Sequence, residues 1–187
     1  MNKQKIYIML SDTQSFISKG IKVYTRKPYS HVSIALDINL EEVYSFGRLK
    51  PYNPLIGGFV KEDVDNGTFK IYPNTKIALY SIDVSLQQLN EVKAAIDKFK
   101  ANDYKYRYNF IGVVGVILNK PINRKYRYFC SQFVAKVLLD SDIKIIDKDI
   151  GLTLPDDFIN HKELQLVYEG KLHQYKREGF KQSTSYI

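Results

Sequence analysis

One cysteine and three histidines are the side chains of this 187-residue chain best suited to nucleophilic chemistry. Cys130 lies in Tyr128-Phe129-Cys130-Ser131-Gln132-Phe133-Val134, where an aromatic run ends and a segment with helical spacing begins. Val134, Val137 and Leu138 follow it at i+4, i+7 and i+8, on one face of a helix. Ser131 and Gln132 suit the first turn, and Asp140-Ser141-Asp142 suits the end. A thiol so placed faces unpaired backbone N–H groups. The positive end of the helix dipole favours thiolate, which is the nucleophile. The same N–H groups can bind the oxyanion that forms when a thiolate attacks a carbonyl. The stretch fits equally a small apolar residue packed between helix and sheet.

A thiolate needs a base. His31 stands in Tyr29-Ser30-His31-Val32-Ser33 and opens an alternating segment, with His31, Ser33 and Ala35 on one face and Val32, Ile34 and Leu36 on the other. A strand holds its side chains rigidly, which suits a general base. His161 and His173 sit among polar and charged neighbours and read as surface histidines. A strand histidine satisfied by a neighbour is common. Paired with a single helix-opening cysteine, His31 becomes the candidate partner of Cys130.

The elements that must position this pair read as α+β with a mostly antiparallel sheet. Strands are expected at Ile6 to Leu10, His31 to Leu36, Glu42 to Phe46 and Lys76 to Val84, with a turn at Asp37-Ile38-Asn39. Ser11-Asp12 reads as the cap of a helix carrying Phe16, Ile17, Gly20, Ile21 and Tyr24, broken at Lys27-Pro28. Pro51 to Gly58 reads as a loop, and Phe59 to Val64 with Thr68 to Tyr72 as a hairpin about Asn66-Gly67. Ser85 starts an amphipathic helix with Leu86, Leu89, Val92, Ile96 and Phe99 on its buried face. Phe110 to Leu118 is a buried helix or strand whose period does not decide its type. Pro155 to Asn160 suits a single turn, Leu164 to Tyr168 and Gly170 to Tyr175 closing strands or a tail pass, and Gln182 to Ile187 a frayed terminus. No repeat or linker divides the chain, so residues 1–187 read as one domain.

Twenty-eight Lys and Arg against twenty Asp and Glu give a net charge of +8. Several cations are interleaved with tyrosines, at Tyr104-Lys105-Tyr106-Arg107-Tyr108 and from Arg124 to Tyr128. Such a pattern could meet single-stranded nucleic acid or an anionic surface. No nucleic-acid module accompanies it, and it reads as a solvated face with half-buried tyrosines. One cysteine excludes an intrachain disulfide. No run is long enough for a signal-peptide core or a membrane span, and a cytoplasmic location is the expectation. Zinc-ligand clustering and a glycine-rich phosphate loop are absent from the sequence, so no cofactor or metal is expected.

The pair of motifs Tyr29-Ser30-His31-Val32-Ser33-Ile34-Ala35-Leu36 and Tyr128-Phe129-Cys130-Ser131-Gln132-Phe133-Val134 resembles the circularly permuted branch of the NlpC-type papain-like superfamily. That branch includes the YiiX-like bacterial proteins and the lecithin:retinol acyltransferase-like enzymes. In it the histidine strand precedes the cysteine helix, as here. The resemblance implies a permuted papain-like fold, with His31 as base, Cys130 as nucleophile and Tyr128 beside the oxyanion site. The family's third polar residue on the strand after the histidine has no direct match. If the turn centres on Ile38, His31 opposes Ser45, and a slip by one pair brings Gly47 opposite instead. Ser45 is therefore the candidate that orients His31, with Glu62 on the following strand as its replacement.

The chemistry implied is acyl transfer to Cys130. A thiol amidase or peptidase acting on a peptide-like or cell-wall-derived amide is one reading. A lipid-directed acyltransferase or esterase at an anionic surface is another, and a non-catalytic papain-like binding module is a third.

Overall fold

The computed structural model describes residues 3–15, 25–159 and 161–178. Among the described residues there are eight strands, β1 (Gln4–Asp12), β2 (His31–Ala35), β3 (Val43–Lys50), β4 (Asn53–Glu62), β5 (Lys76–Val84), β6 (Arg107–Tyr108), β7 (Arg127–Tyr128) and β8 (Leu164–Lys171). Six of them form one sheet in the order β4-β3-β2-β1-β5-β8, and every neighbouring pair is antiparallel. β6 and β7 form a separate parallel ladder. The helices are α1 (Gly67–Ile71), α2 (Leu86–Lys100), α3 (Phe110–Ile117), α4 (Cys130–Asp140) and α5 (Leu172–Glu178). The α+β class with a mostly antiparallel sheet is thus present.

Both faces of the sheet are covered, so the central strand β1 is apolar on both sides. Ile6, Ile8 and Leu10 enter one core, and Tyr7 and Met9 the other. The first core lies under α2 and α4. Ser85 caps α2 with a reciprocal capping box, its hydroxyl accepting from Gln88 N at 3.1 Å while Gln88 Oε1 accepts from Ser85 N at 3.0 Å. The stripe Leu89, Val92, Ala95, Ile96 and Phe99 then faces the sheet, whereas Leu86, expected on that stripe, is exposed. Phe99 and Phe133 meet edge to face at 5.0 Å, and Phe46 lies 5.3 Å from Phe133 and 5.9 Å from Phe99. Each such pair adds about 0.5–1.5 kcal/mol beyond burial and fixes α4 relative to β3. The second core joins Ala35, Val43, Ile77 and Leu79 to Phe69 of α1 and to Leu172 and Tyr175 of α5.

Several expectations are corrected. Pro51 to Gly58 is not a loop. A tight turn at Pro51-Tyr52 leads directly into β4, and the glycines mark a close crossing rather than a break. A Cβ on Gly57 would stand 2.9 Å from Tyr108 Cβ, and one on Gly58 3.0 Å from the Tyr106 carbonyl oxygen. The hairpin about Asn66-Gly67 is not formed. Asp63 accepts N–H bonds from Asp65 and Asn66, Gly67 takes a φ of +57°, and the chain coils into α1 to bury Phe69. Ser11 and Asp12 belong to β1 rather than to a helix cap, and the helix expected over Phe16 to Tyr24 lies outside the described residues, as does the 182–187 terminus. Leu164 to Tyr175 is strand β8 followed by α5. The segment after Asn109 is a helix, but Phe110, Ile111, Val114, Ile117 and Leu118 are exposed, not buried. Among the described residues, no helix is long and apolar enough to cross a membrane.

Candidate active site

The β2–β3 ladder is short. Only Ile34↔Tyr44 and Ala35↔Val43 pair, and towards His31 the two strands part. α4 begins at this opening. Its cap residue Phe129 makes no side-chain capping bond, and the first N–H groups of a helix have no intrahelical acceptors. The Cys130 sulfur accepts from the backbone N–H of Val32 and of Ser131, taking the place of a strand partner at Val32. His31, which opens β2, brings its imidazole within hydrogen-bonding reach of the same sulfur. Two residues 99 positions apart in the sequence therefore meet at one gap in the sheet.

Polar residues after the nucleophile candidate lock the start of α4. Ser131 Oγ donates to the Thr153 carbonyl at 2.6 Å. Gln132 Nε2 donates to Asn123 Oδ1 at 2.7 Å, and Gln132 Oε1 accepts from Asn109 Nδ2 at 3.4 Å. Both α4 side chains, Ser131 and Gln132, are buried, so each of these bonds replaces lost hydration.

His31 is oriented by Glu62, not by Ser45. Its Nε2 donates to Glu62 Oε1 at 2.7 Å, which leaves Nδ1 as the nitrogen available to sulfur. Ser45 Oγ donates to that same carboxylate oxygen at 2.5 Å, and Ser33 Oγ donates to Oε2 at 2.9 Å. The β2–β3 register explains the correction. The turn centres on Asn39 because Asp37 carboxylate oxygens accept the N–H groups of Glu41 and Glu42, and Leu40 adopts a φ of +60°. Residue numbers across the ladder then sum to 78 rather than 76, so Ser45 is in register with Ser33 and not with His31 where the ladder is extended beyond its last pair. Glu62, across β3–β4 from Val43, reaches over both serines.

Tyr128 is also corrected. Its ring packs into the first core, 5.3 Å from Phe46 and 5.4 Å from Phe99, and burial with the charge of Asp140 raises its hydroxyl pKa. The tyrosine that hydrogen-bonds the Cys130 sulfur is Tyr108, its neighbour across the parallel ladder. The sequence shows Tyr108 only as part of a basic-aromatic run. Its one distinguishing signal is that Arg107-Tyr108 repeats Arg127-Tyr128 before a helix. His161 and His173 stand apart from this site, bonded at Nδ1 to Glu163 N and to the Pro73 carbonyl respectively.

The electrostatics follow from these contacts. Burial alone would push the Cys130 thiol up. The His31 charge, its hydrogen bond and the N–H groups of Val32 and Ser131 outweigh burial and hold the thiol below its ordinary range. Burial would lower His31, but Glu62 and the thiolate raise it to about 10. Burial would raise Glu62, but the His31 charge, the His31 bond and the two serine hydroxyls bring it down. Burial first, then the Cys130 charge and hydrogen bond, push Tyr108 well above an ordinary phenol, so it stays a donor. A thiolate–imidazolium–carboxylate line is the resting state this arrangement favours.

A cavity of about 430 Å³ opens beside the line, with His31, Glu62 and Tyr108 on its wall. Cys130 sits just behind that wall and is 5% exposed. Among the described residues, no three His, Cys, Asp or Glu side chains converge as metal ligands would. Comparison of the chain with protein-family models, curated proteins and solved structures found no match.

Proposed function

We propose that the chain is a cysteine hydrolase that transfers an acyl group from a peptide-like amide to Cys130, on a circularly permuted papain-like scaffold of the NlpC type. The observation that carries this reading is the unbroken line from Glu62 through His31 to the Cys130 sulfur, with Tyr108 as a second donor to that sulfur. The histidine strand preceding the cysteine helix supports the permuted scaffold.

Four steps use these groups. His31 already holds the thiol proton. The thiolate attacks the carbonyl carbon, forming the S–C bond while the π electrons move to oxygen. N–H groups at the start of α4 and the Tyr108 hydroxyl stabilise that oxyanion. The C–N bond then breaks, and the departing amine takes the proton from His31 Nδ1. Finally His31 removes a proton from water, which attacks the thioester, releases the acid and regenerates the thiolate. Glu62 stays ionised and holds the ring in the tautomer required.

The test is intact mass spectrometry after incubation with a panel of short peptide amides and lipid esters. A thioester on Cys130, cleaved by hydroxylamine and absent from Cys130→Ala, is the expected result. No adduct and no turnover across the panel would leave a binding module.

One observation favours a lipid-directed variant of the same chemistry. The apolar face of α3 is exposed, and its Phe110 and Val113 lie at the cavity wall. Co-flotation with anionic vesicles, lost on Ile111→Asp, separates that variant from a purely aqueous amidase.

A further inference from the structure

The cavity beside Cys130 has two unlike ends. Leu49, Val60, Phe110 and Val113 give an apolar side. Towards β1 the wall carries the hydroxyls of Ser11, Thr13 and Ser15 and the guanidinium of Arg48. The charges on this wall are not alike. Lys61 is paired with Glu42, and Glu62 is held by His31, Ser33 and Ser45. Asp63 accepts the N–H groups of the turn before α1. Arg48 has only neutral partners among the described residues. Its Nη2 donates to Ser15 Oγ at 3.0 Å, and Nη1 donates to the Pro51 carbonyl at 3.4 Å and the Tyr72 hydroxyl at 3.3 Å. The Tyr72 ring lies 5.5 Å below the guanidinium and fixes its plane. A register shift in the β3–β4 ladder falls immediately after Arg48, the kind of irregularity that re-aims a side chain.

The second observation is independent of the charge. Ser11 is completely buried, and its hydroxyl is the one buried side-chain polar atom among the described residues that lacks a hydrogen-bond partner. An unmet buried hydroxyl costs stability unless something binds it, and it sits on the wall of this cavity.

We infer that Arg48 and Ser11 form an anion subsite of the acyl-transfer cavity, which takes a carboxylate on a substrate whose remaining body is apolar. The inference rests on Cys130 being the acyl acceptor of the same cavity. A planar guanidinium with neutral partners can form a bidentate pair with a carboxylate, and the Ser11 hydroxyl supplies one further donor. Leu49, Val60, Phe110 and Val113 then bury the acyl body. The substrate class narrows from amides in general to short, acidic, apolar ones, such as an acylated amino acid with its α-carboxylate free.

Calorimetric titration of Cys130→Ala tests this without turnover, using N-hexanoylglycine, its neutral methylamide and hexyl phosphate as probes. The expected result is at least roughly tenfold tighter binding of the carboxylate than of the methylamide, as befits a charge-assisted pair. Adding Arg48→Met should erase that preference, and adding Ser11→Ala should weaken carboxylate binding several-fold without lowering Tm. Should Arg48→Met fail to fold, Arg48→Gln keeps a donor for Ser15 while removing the charge. Equal affinity for acid and methylamide, a preference that survives loss of the Arg48 charge, or no binding of either up to about 10 mM would overturn the subsite. Tighter binding of hexyl phosphate would overturn the carboxylate assignment. Failure here leaves the thioester test on Cys130 untouched, and failure of that test leaves this binding measurement intact.

Discussion

Helices α3 and α4 leave one small parallel ladder in the same way. Arg107 and Tyr108 face Arg127 and Tyr128, and each tyrosine is followed by one cap residue and then a helix. The two exits then differ at every level. Asn109 caps α3 with its own side chain, Oδ1 accepting from Gly112 N at 3.0 Å. Phe129 offers α4 no such bond, so the first N–H groups there remain for sulfur and for a developing oxyanion. A missing cap costs a helix about 1 kcal/mol, and burial of α4 against β2, β3 and α2 offsets it. The tyrosines divide in the same sense. Tyr128 contributes its ring to the core, while Tyr108 presents its hydroxyl to Cys130. A reactive helix start is thus distinguished from an ordinary one by what its cap residue withholds.

The largest effect that would break this contrast is at the nucleophile. Cys130→Ala should abolish covalent labelling by iodoacetamide, since the sequence contains no second cysteine; residual labelling by mass spectrometry would place the reactivity elsewhere. Next comes Glu62→Gln, which removes a charge-assisted bond to His31 worth about 1.5–3 kcal/mol. Because the Glu62 carboxylate sustains the imidazolium, and the imidazolium the thiolate, labelling below neutral pH should fall roughly ten- to hundredfold. Smaller still, Tyr108→Phe should slow acyl transfer about two- to tenfold, while Tyr128→Phe leaves it unchanged. Equal effects of the two in a steady-state assay would erase the distinction between the ladder's tyrosines. For the capped helix, Asn109→Ala should lower unfolding free energy by about 1–2 kcal/mol in a denaturant titration, with Cys130 still labelling. Ser45→Ala should have the least effect on labelling, below about threefold, because Ser33 still donates to Glu62 and a single net hydrogen bond is small.

Cys130 and His31 were legible because they are chemically rare. One cysteine at a helix start and one histidine in an alternating strand leave few ways to build a thiolate pair. Tyr108 and Glu62 were not legible in the same way, because both depend on pairing between segments. Tyr128 is close to Cys130 in sequence, but only the parallel β6–β7 register shows that its neighbour owns the hydroxyl at the sulfur. Glu62 was one of two options until the turn at Asn39 fixed the sum across β2–β3. The fold was clear where an apolar run or a single periodicity dominates, as in β1, β5 and α2. It was misread where glycine serves a close crossing rather than a turn, as at Gly57 and Gly58 beneath β6, and at Asn66-Gly67, where Asp63 draws the chain into α1. The apolar run after Asn109 was expected to be buried on composition alone. Its exposure is a property of packing that composition does not carry.

The pH dependence of Cys130 alkylation by iodoacetamide tests the Cys130–His31 pair most directly. With the thiol held below its ordinary range and His31 raised to about 10, the thiolate–imidazolium pair spans neutral pH. The rate should be flat through neutrality and fall only as acid protonates the thiolate, with an inflection well below the ordinary thiol value of about 8.5. In His31→Ala only the N–H groups of Val32 and Ser131 still oppose burial, and the inflection should move up towards or beyond that value. A wild-type inflection in the ordinary thiol range, unmoved by His31→Ala, would contradict the pair on which the proposed chemistry depends.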